Sequence, residues 1–427
     1  MKIKTKNKSY SEVLELQGKK DKVKLTRQPL FFRILLLLLS LPALISSKFK
    51  CEKVGMEKLG KKEPCFILMN HSSFTDMKIA CKILFPRRFN IVTSRDAFIG
   101  KNWLMRQIGC IPTTKFALDI GLVRNINRAI KKNKCSVLMY PEAGYTFDGT
   151  ATTLPDSLGK FAKMLEVPLV MITTYGAFAR DPMYNGLQIR KVKVSAKMEY
   201  LLSPEEIKSK SAEEINEIIK NSFSFDNFRW QQENKIAIKE NFRADGLNRV
   251  LYKCPHCLSE SGNMEGKGTE IICHACGAKY ELDEYGFLCG VNCETKFNHV
   301  PDWYKWEREC VRQEVIDGTY NLTDDVDIYV LMDTKCMYNI GSGVLTHNRD
   351  GFKLTGCDGQ LEYVHTPQTS YTLMSDFLWY EIGDVIAIGT KQIQYHCFPK
   401  NKKDVVAKAR LATEEMYTLY RESKAKK

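Results

Sequence analysis

Short apolar runs alternate with helix-spaced apolar positions through the first half of the chain. "CFILM" (65–69) reads as a buried strand and "MKIACKILF" after Asp76 as a helix. "NIV" (90–92) predicts a second strand. In "FALDIGLVRNINRAIKKNK", Ile120, Val123, Ile126 and Ile130 fall at helical spacing, with lysines at the end, where a helix terminus favours cations. "SVLMY" (136–140), a helical "DSLGKFAKMLE" and "PLVMITT" (168–174) continue the series. Strands alternating with helices predict an α/β layer on a largely parallel sheet. Sites in such sheets lie beyond the carboxyl ends of the strands, where His71 and Glu142 fall.

"VKVSAKMEY" (192–200) then alternates apolar and polar positions, as expected of a strand with one wet face near the sheet edge. Ser-Pro-Glu-Glu at 203–206 and a Ser-x-x-Glu capping box from Ser211 to Glu214 mark helix starts. The far end is strand-dominated. "DIYVLM", "GVLTHNRDGFKLTG", "LEYV", "YEIGDVIAI" and "QIQYHCF" are separated by turn residues, and a helix over about 402–422 ends the series. That succession resembles a pleckstrin-homology-like barrel. The aromatic-rich "FNHVPDWYKWEREC" precedes it, with no element assigned.

Composition narrows the class. With 427 residues, 44% hydrophobic and 27% charged, the chain is folded protein of two or three domains rather than a low-complexity polymer. A formal charge of +14 calls for an anionic partner. Nine Lys/Arg against three acids crowd residues 1–28, directly before "PLFFRILLLLLSLPALIS". The uninterrupted part of that segment, Ile34–Leu39, is too short to span about 30 Å of hydrocarbon, and Arg33, Ser40 and Pro42 interrupt the rest. It reads as a helix seated on a membrane, with basic neighbours suited to an anionic, cytoplasmic bilayer face; a core helix is the alternative. Fifteen scattered cysteines without a signal peptide read as reduced thiols.

The candidate chemistry begins at "LMNHSSFTDMKIA" (68–80). A hydroxyl attacking a thioester needs a base, which imidazole supplies near neutrality, and the base needs a carboxylate to hold its second nitrogen. On a regular helix His71 and Asp76 would point about 140° apart. A loop running into a helix start brings them together, and "NHSSFTD" offers one with Ser72, Ser73 and Thr75 available as caps. "YPEAGYTFDG" (140–149) follows another strand and can present backbone N–H groups and a carboxylate to a polar ligand. "SRDAFIGKNWLMRQIGCIPTTK" (94–115) places Arg95, Arg106 and Lys115 between the two motifs, and Val167-Pro168 enters a later strand.

In that order, over about residues 45–200, these motifs resemble the glycerolipid acyltransferase family, whose best-known members make phosphatidic acid from lysophosphatidic acid. The resemblance implies a mixed sheet flanked by helices, His71 as general base, Asp76 as its orienting partner, and an acyl thioester on coenzyme A or acyl carrier protein as donor. It implies a lysophospholipid acceptor, 1-acylglycerol-3-phosphate above all, held with help from Glu142 and Gly144; Arg95, in the basic segment, is a further candidate for binding it. Two departures bear on the acceptor. The family's Pro-Glu-Gly-Thr-Arg is "PEAGYT" here, which puts Tyr145 near the place of a phosphate-binding arginine, and its Ile-Asp-Arg is "PTTK", which leaves Lys115 as the basic residue. A lysine attracts phosphate as a point charge without the bidentate fork.

"CPHC" (254–257) and "CHAC" (273–276) form two Cys-x2-Cys knuckles fifteen residues apart, the spacing of a four-cysteine zinc ribbon. Cys254, Cys257, Cys273 and Cys276 would fill a tetrahedral, structural Zn2+ site. His256 and His274 read as bystanders, Cys289 and Cys293 as thiols, and His347, His365 and His396 as structural or surface residues. The expected division is a basic tail with membrane-associated helix (1–46), an acyltransferase domain (47–245), a zinc ribbon (246–285) and a β-rich region ending in a helix (286–427). Two other functions compete: nucleic-acid binding and a non-catalytic lipid scaffold. Around the knuckles "SESGNMEGKGTE" is polar and mildly acidic, which argues against nucleic acid, and the His71–Asp76 spacing argues against a silent scaffold.

Overall fold

The structure, a computed structural model, describes residues 3–17, 27–115, 120–186, 188–260 and 262–425. Its first large unit is a seven-stranded mixed sheet. In spatial order the strands are Lys50–Val54, Ser195–Leu202, Leu169–Tyr175, Phe66–Met69, Ser136–Met139, Phe89–Ser94 and Cys110–Thr113. All neighbours run parallel except Ser195–Leu202 against Leu169–Tyr175. Strands covered on both faces need apolar residues at every position. Phe66–Met69, in the middle, is buried throughout.

Alternation along that strand divides the core in two. Phe66 and Leu68 pack with Leu158, Ala162, Leu165, Ile215 and Ile219, from the helices Leu158–Leu165 and Ala212–Ser222. Ile67 and Met69 meet Leu44 and Ile79 on the other face, from Leu30–Ser46 and Thr75–Leu84. The expected helix across 116–134 is Ile120–Asn127 followed by a π-helical turn, Arg128–Lys132; residues 116–119 lie outside the described residues. Capping boxes start both later helices, at Ser203 with Glu206 and at Ser211 with Glu214.

Ser195–Leu202 lies near the sheet edge, as its alternation suggests, one place in because Lys50–Val54 pairs along its outer side. Cys110–Thr113, which the sequence does not announce, forms the opposite edge. It contains Pro112, whose missing N–H an edge strand tolerates.

Leu30–Ser46 lies against Thr75–Leu84 through Leu36 and Leu44. Its other side leaves Leu30, Phe31, Leu38, Leu39 and Ile45 exposed. Among the described residues no helix is long and apolar enough to cross a membrane.

A four-stranded antiparallel sheet, in the order Leu288–Gly290, Lys279–Leu282, Glu270–Cys273, Met264–Lys267, carries the second cysteine knuckle. The last unit is β-rich. The meander Asn321–Leu331, Met337–Asn348, Gly351–Gly356, Leu361–His365 is joined to a second, Met374–Trp379, Gly383–Gly389, Gln394–Pro399, by pairing of the first strand with the last. Thr5–Asn7 adds in parallel to Met337–Asn348. The tail is therefore only partly free: Val13 is fully buried and the Tyr10 hydroxyl lies 2.8 Å from that of Tyr395. Lys19, Lys20, Lys22 and Lys24 lie outside the described residues.

Helix Val300–Ile316 occupies the aromatic stretch left unassigned by the sequence reading, and it pairs with Val406–Ala425. Arg308 and Arg312 on the first helix bond Glu414 and Glu415 on the second, at 2.6 and 2.9 Å. These elements rest directly on the first unit. Phe147 packs on Phe377 with ring centroids 4.5 Å apart, and the Gly100 N–H reaches the Thr334 carbonyl at 2.9 Å.

Candidate active site

The turn after Phe66–Met69 is pinned by Asn70. Its Oδ1 accepts the Thr174 N–H at 2.8 Å and its Nδ2 donates to Ser72 Oγ at 3.0 Å, which ties the turn to the neighbouring strand. The chain then enters helix Thr75–Leu84 with Asp76 in the first turn, where the helix dipole favours an anion. One carboxylate oxygen, Asp76 Oδ2, gathers the N–H groups of Ser72 (2.7 Å) and Ser73 (3.0 Å) and His71 Nδ1 (3.1 Å). Because a carboxylate only accepts, Nδ1 carries the proton and Nε2 keeps its lone pair. Asp76 is fully buried, while the His71 side chain is one-fifth exposed. The two residues predicted as a pair face each other.

Two phenol rings sandwich the imidazole. Tyr140 stacks at 4.1 Å between centroids and Tyr145 at 3.8 Å. Burial lowers the His71 pKa below its ordinary 6.5, Asp76 pulls it back up, and the charge of Lys115 presses it down again. Burial also raises both tyrosines well above 10, so they stay protonated. The imidazole is thus neutral at pH 7, enclosed by aromatic faces and held in one tautomer.

Glu142 has a different place from the one expected of a substrate ligand. Its Oε2 accepts the His71 backbone N–H at 2.8 Å, and its Oε1 accepts the Thr152 N–H and hydroxyl at 3.0 and 3.2 Å. Both oxygens are engaged by the protein, so the carboxyl is a strut beneath His71. Burial pushes it up to about 7 against the pull of those hydrogen bonds. The Thr146 N–H meets the His71 carbonyl at 3.0 Å from the same loop. Ala143 adopts a left-handed backbone, φ 58°, and a Cβ added to Gly144 would meet nothing within 4 Å, so this part of the loop borders open space.

Lys115 is brought to the site, half-buried; burial lowers its pKa while Asp96 and Asp376 raise it. Arg95 donates to the carbonyls of Met332 and Lys391, at the junction with the β-rich unit. Neighbours not expected from the sequence include Asp376, Asp181 and Arg410. Asp376, on Met374–Trp379, is pushed up to about 7 by burial, with Lys115 opposing. Asp181 is pushed to about 7 by burial, opposed by a Ser73 hydrogen bond and reinforced by the Asp76 charge. Arg410, on the terminal helix, bonds the Tyr145 carbonyl at 2.9 Å. For Asp376 and Arg410 no local signal exists, since only the docking of distant elements brings them here.

The four cysteines also converge. Their sulfurs lie within 4.8 Å of one another, with Cys254–Cys276 at 3.7 Å and Cys257–Cys273 at 3.6 Å. A tetrahedral ion with metal–sulfur bonds of about 2.3 Å sets sulfurs about 3.8 Å apart, so the donor set fits zinc. His256 bonds the Tyr280 hydroxyl (2.8 Å) and His274 bonds Glu265 (2.9 Å), both apart from the cluster.

Residues 50–175, which hold the His71–Asp76 pair and the loop at 140–149, match the family model described as Acyltransferase. Among solved structures the chain is similar to the crystal structure of the 1-acyl-sn-glycerophosphate (LPA) acyltransferase PlsC from Thermotoga maritima. The identity is 17%, the match covers 48% of this chain and 79% of that one, and the TM-score is 0.35. A comparison with curated proteins finds no match. The family match supports an acyltransferase.

A titration of the His71 imidazole by NMR checks the electrostatics. Its midpoint should fall below 6.5 in the wild type and lower still in Asp76→Asn, because the carboxylate that favours the cation is gone. A midpoint that rises in the variant would contradict the pairing.

Proposed function

We propose that the chain transfers a fatty acyl group from an acyl thioester, of coenzyme A or acyl carrier protein, to the free hydroxyl of a lysophospholipid. The acceptor that fits best is 1-acylglycerol-3-phosphate, with phosphatidic acid as product. The observation that carries this reading is the His71 Nδ1–Asp76 contact at 3.1 Å with Nε2 left for substrate.

In this scheme Nε2 takes the proton of the acceptor hydroxyl as its oxygen attacks the thioester carbonyl. The carbon–sulfur bond breaks as the tetrahedral intermediate collapses, and the imidazolium returns the proton to the departing sulfur. Asp76 stabilises that cation, Tyr140 and Tyr145 limit water, and Glu142 keeps the His71 backbone in place. Lys115 is the cation available to the acceptor phosphate. Replacing His71 with Ala should lower transfer of labelled acyl groups to lysophosphatidic acid by about 10²- to 10⁴-fold in protein that melts as the wild type does. Unchanged turnover would remove His71 from the chemistry.

Zn2+ is the proposed occupant of Cys254, Cys257, Cys273 and Cys276, with a structural role because four thiolates fill its coordination. Metal analysis should give about one zinc per chain, and Cys254→Ser should lower both the zinc content and the melting temperature. Purified, folded protein without zinc would reject the assignment.

The seat of the enzyme is proposed to be an anionic membrane surface on the cytoplasmic side. Support comes from the exposed Leu30, Phe31, Leu38, Leu39 and Ile45, and from Trp103, which packs on Phe32 at 5.9 Å and is also exposed. The order of the C-terminal strands, closed by one helix, supports the pleckstrin-homology-like reading of that unit. Changing Leu38, Leu39 and Ile45 together to Ser should weaken co-sedimentation with anionic vesicles by about 100-fold or more, given about 2 kcal/mol for each buried aliphatic side chain. Sedimentation equal to that of the wild type would count against this seat.

A further inference from the structure

The loop at 140–149 decides where the imidazole stands. Glu142 accepts the His71 N–H, Thr146 donates to the His71 carbonyl, and the Tyr145 ring lies on the imidazole. The loop itself, "YPEAGYTFDG", contains no Lys or Arg. A cation reaches it from the other end of the chain. Arg410, on helix Val406–Ala425, donates from Nη1 to the Tyr145 carbonyl at 2.9 Å, and its guanidinium lies 4.6 Å from the centroid of the Phe147 ring.

Arg410 is itself held. Its Nε donates to Glu414, one turn along, at 3.2 Å. Glu414 also accepts from Arg308 at 2.6 Å and from the Thr372 hydroxyl at 2.6 Å. Arg410 and Glu414 are 4% and 3% exposed, so this is a buried ionic network. Such networks are costly to desolvate, and apolar packing would join two helices at least as well. What apolar packing would not supply is a directed donor on one carbonyl of the catalytic loop. Glu414 is shared between two cations, and the charge of Arg410 acts on Glu142, Asp376 and Lys115 together.

We propose that Arg410 is a positioning residue of the active site: by clamping the Tyr145 carbonyl, the terminal helix sets the loop that holds His71. The inference rests on the acyl-transfer reading above. Catalysis by the first unit therefore depends on the docked C-terminal unit.

Arg312 provides the contrast. It bridges the same two helices, to Glu415 and Glu422 at 2.9 Å each, without touching the loop. Arg410→Gln and Arg312→Gln, each in the full chain, are compared for kcat, for KM toward the acyl thioester with lysophosphatidic acid as acceptor, and for melting by circular dichroism. Displacement of the loop should lower kcat of Arg410→Gln by about 10- to 100-fold with KM changed less than about threefold. Arg312→Gln should keep kcat within about twofold of wild type, because its carboxylate partners Glu415 and Glu422 lie away from the loop.

Equal losses of kcat in the two variants would make Arg410 a joint between helices and overturn the proposal, as would wild-type kcat in Arg410→Gln. If Arg410→Gln does not fold, Arg410→Lys takes its place. It keeps the charge but not the fork, so a lowered kcat at native melting supports the assignment and an unchanged kcat overturns it. A wild-type chain inactive toward acyl thioesters overturns the acyl-transfer reading along with this one. An active wild type with an unaffected Arg410→Gln overturns this one alone.

Discussion

One oxygen atom organises the catalytic half of the molecule. Asp76 Oδ2 collects two backbone N–H groups and an imidazole nitrogen at the start of a helix, beyond the end of the central strand. The turn that makes this possible is tied by Asn70 to the adjacent strand, so the sheet fixes the helix start and the helix start fixes the imidazole. Any shift of that strand would move the imidazole. The double burial of Phe66–Met69 is therefore part of the site as well as part of the core.

The second constraint comes from the other direction. Glu142, Thr146 and Tyr145 approach His71 from one loop, and the β-rich unit with its terminal helix presses on that loop from outside. Phe147 belongs to the same apolar cluster as Trp303 and Phe377. Residues of the units that the sequence suggests as successive modules thus meet in one apolar cluster, and the loop at 140–149 is met by a residue more than two hundred positions away, Tyr371, whose hydroxyl donates to the Pro141 carbonyl. Asp376 and Lys115, of opposite charge and drawn from different units, oppose each other's shifts.

What could be read in the sequence was what depends on neighbours in the chain. The strand at 65–69 announces itself by its apolar run, the helix at 212–222 by its Ser211–Glu214 box, and the converging cysteines by their spacing. The His71–Asp76 pair was readable because five residues of loop and helix start suffice to join them. Lost were features that need a partner elsewhere. Pro112 hid the strand Cys110–Thr113, since proline argues against any strand but one at a sheet edge, and the edge position is not visible in the sequence. Helix Val300–Ile316 was obscured by Glu307, a carboxyl on its inward face that is fully buried and receives the Lys253 N–H at 2.8 Å. Nothing local in the sequence shows the carbonyls of Met332 and Lys391 that receive Arg95.

The short strand Thr5–Asn7 has a consequence for biosynthesis. Its partner, Met337–Asn339, leaves the ribosome more than three hundred residues later. The mixed sheet is complete by Leu202 and has all its strands long before then. The opening segment must therefore wait beside an already formed α/β layer until the β-rich unit is synthesised, and its seating is a late step of maturation.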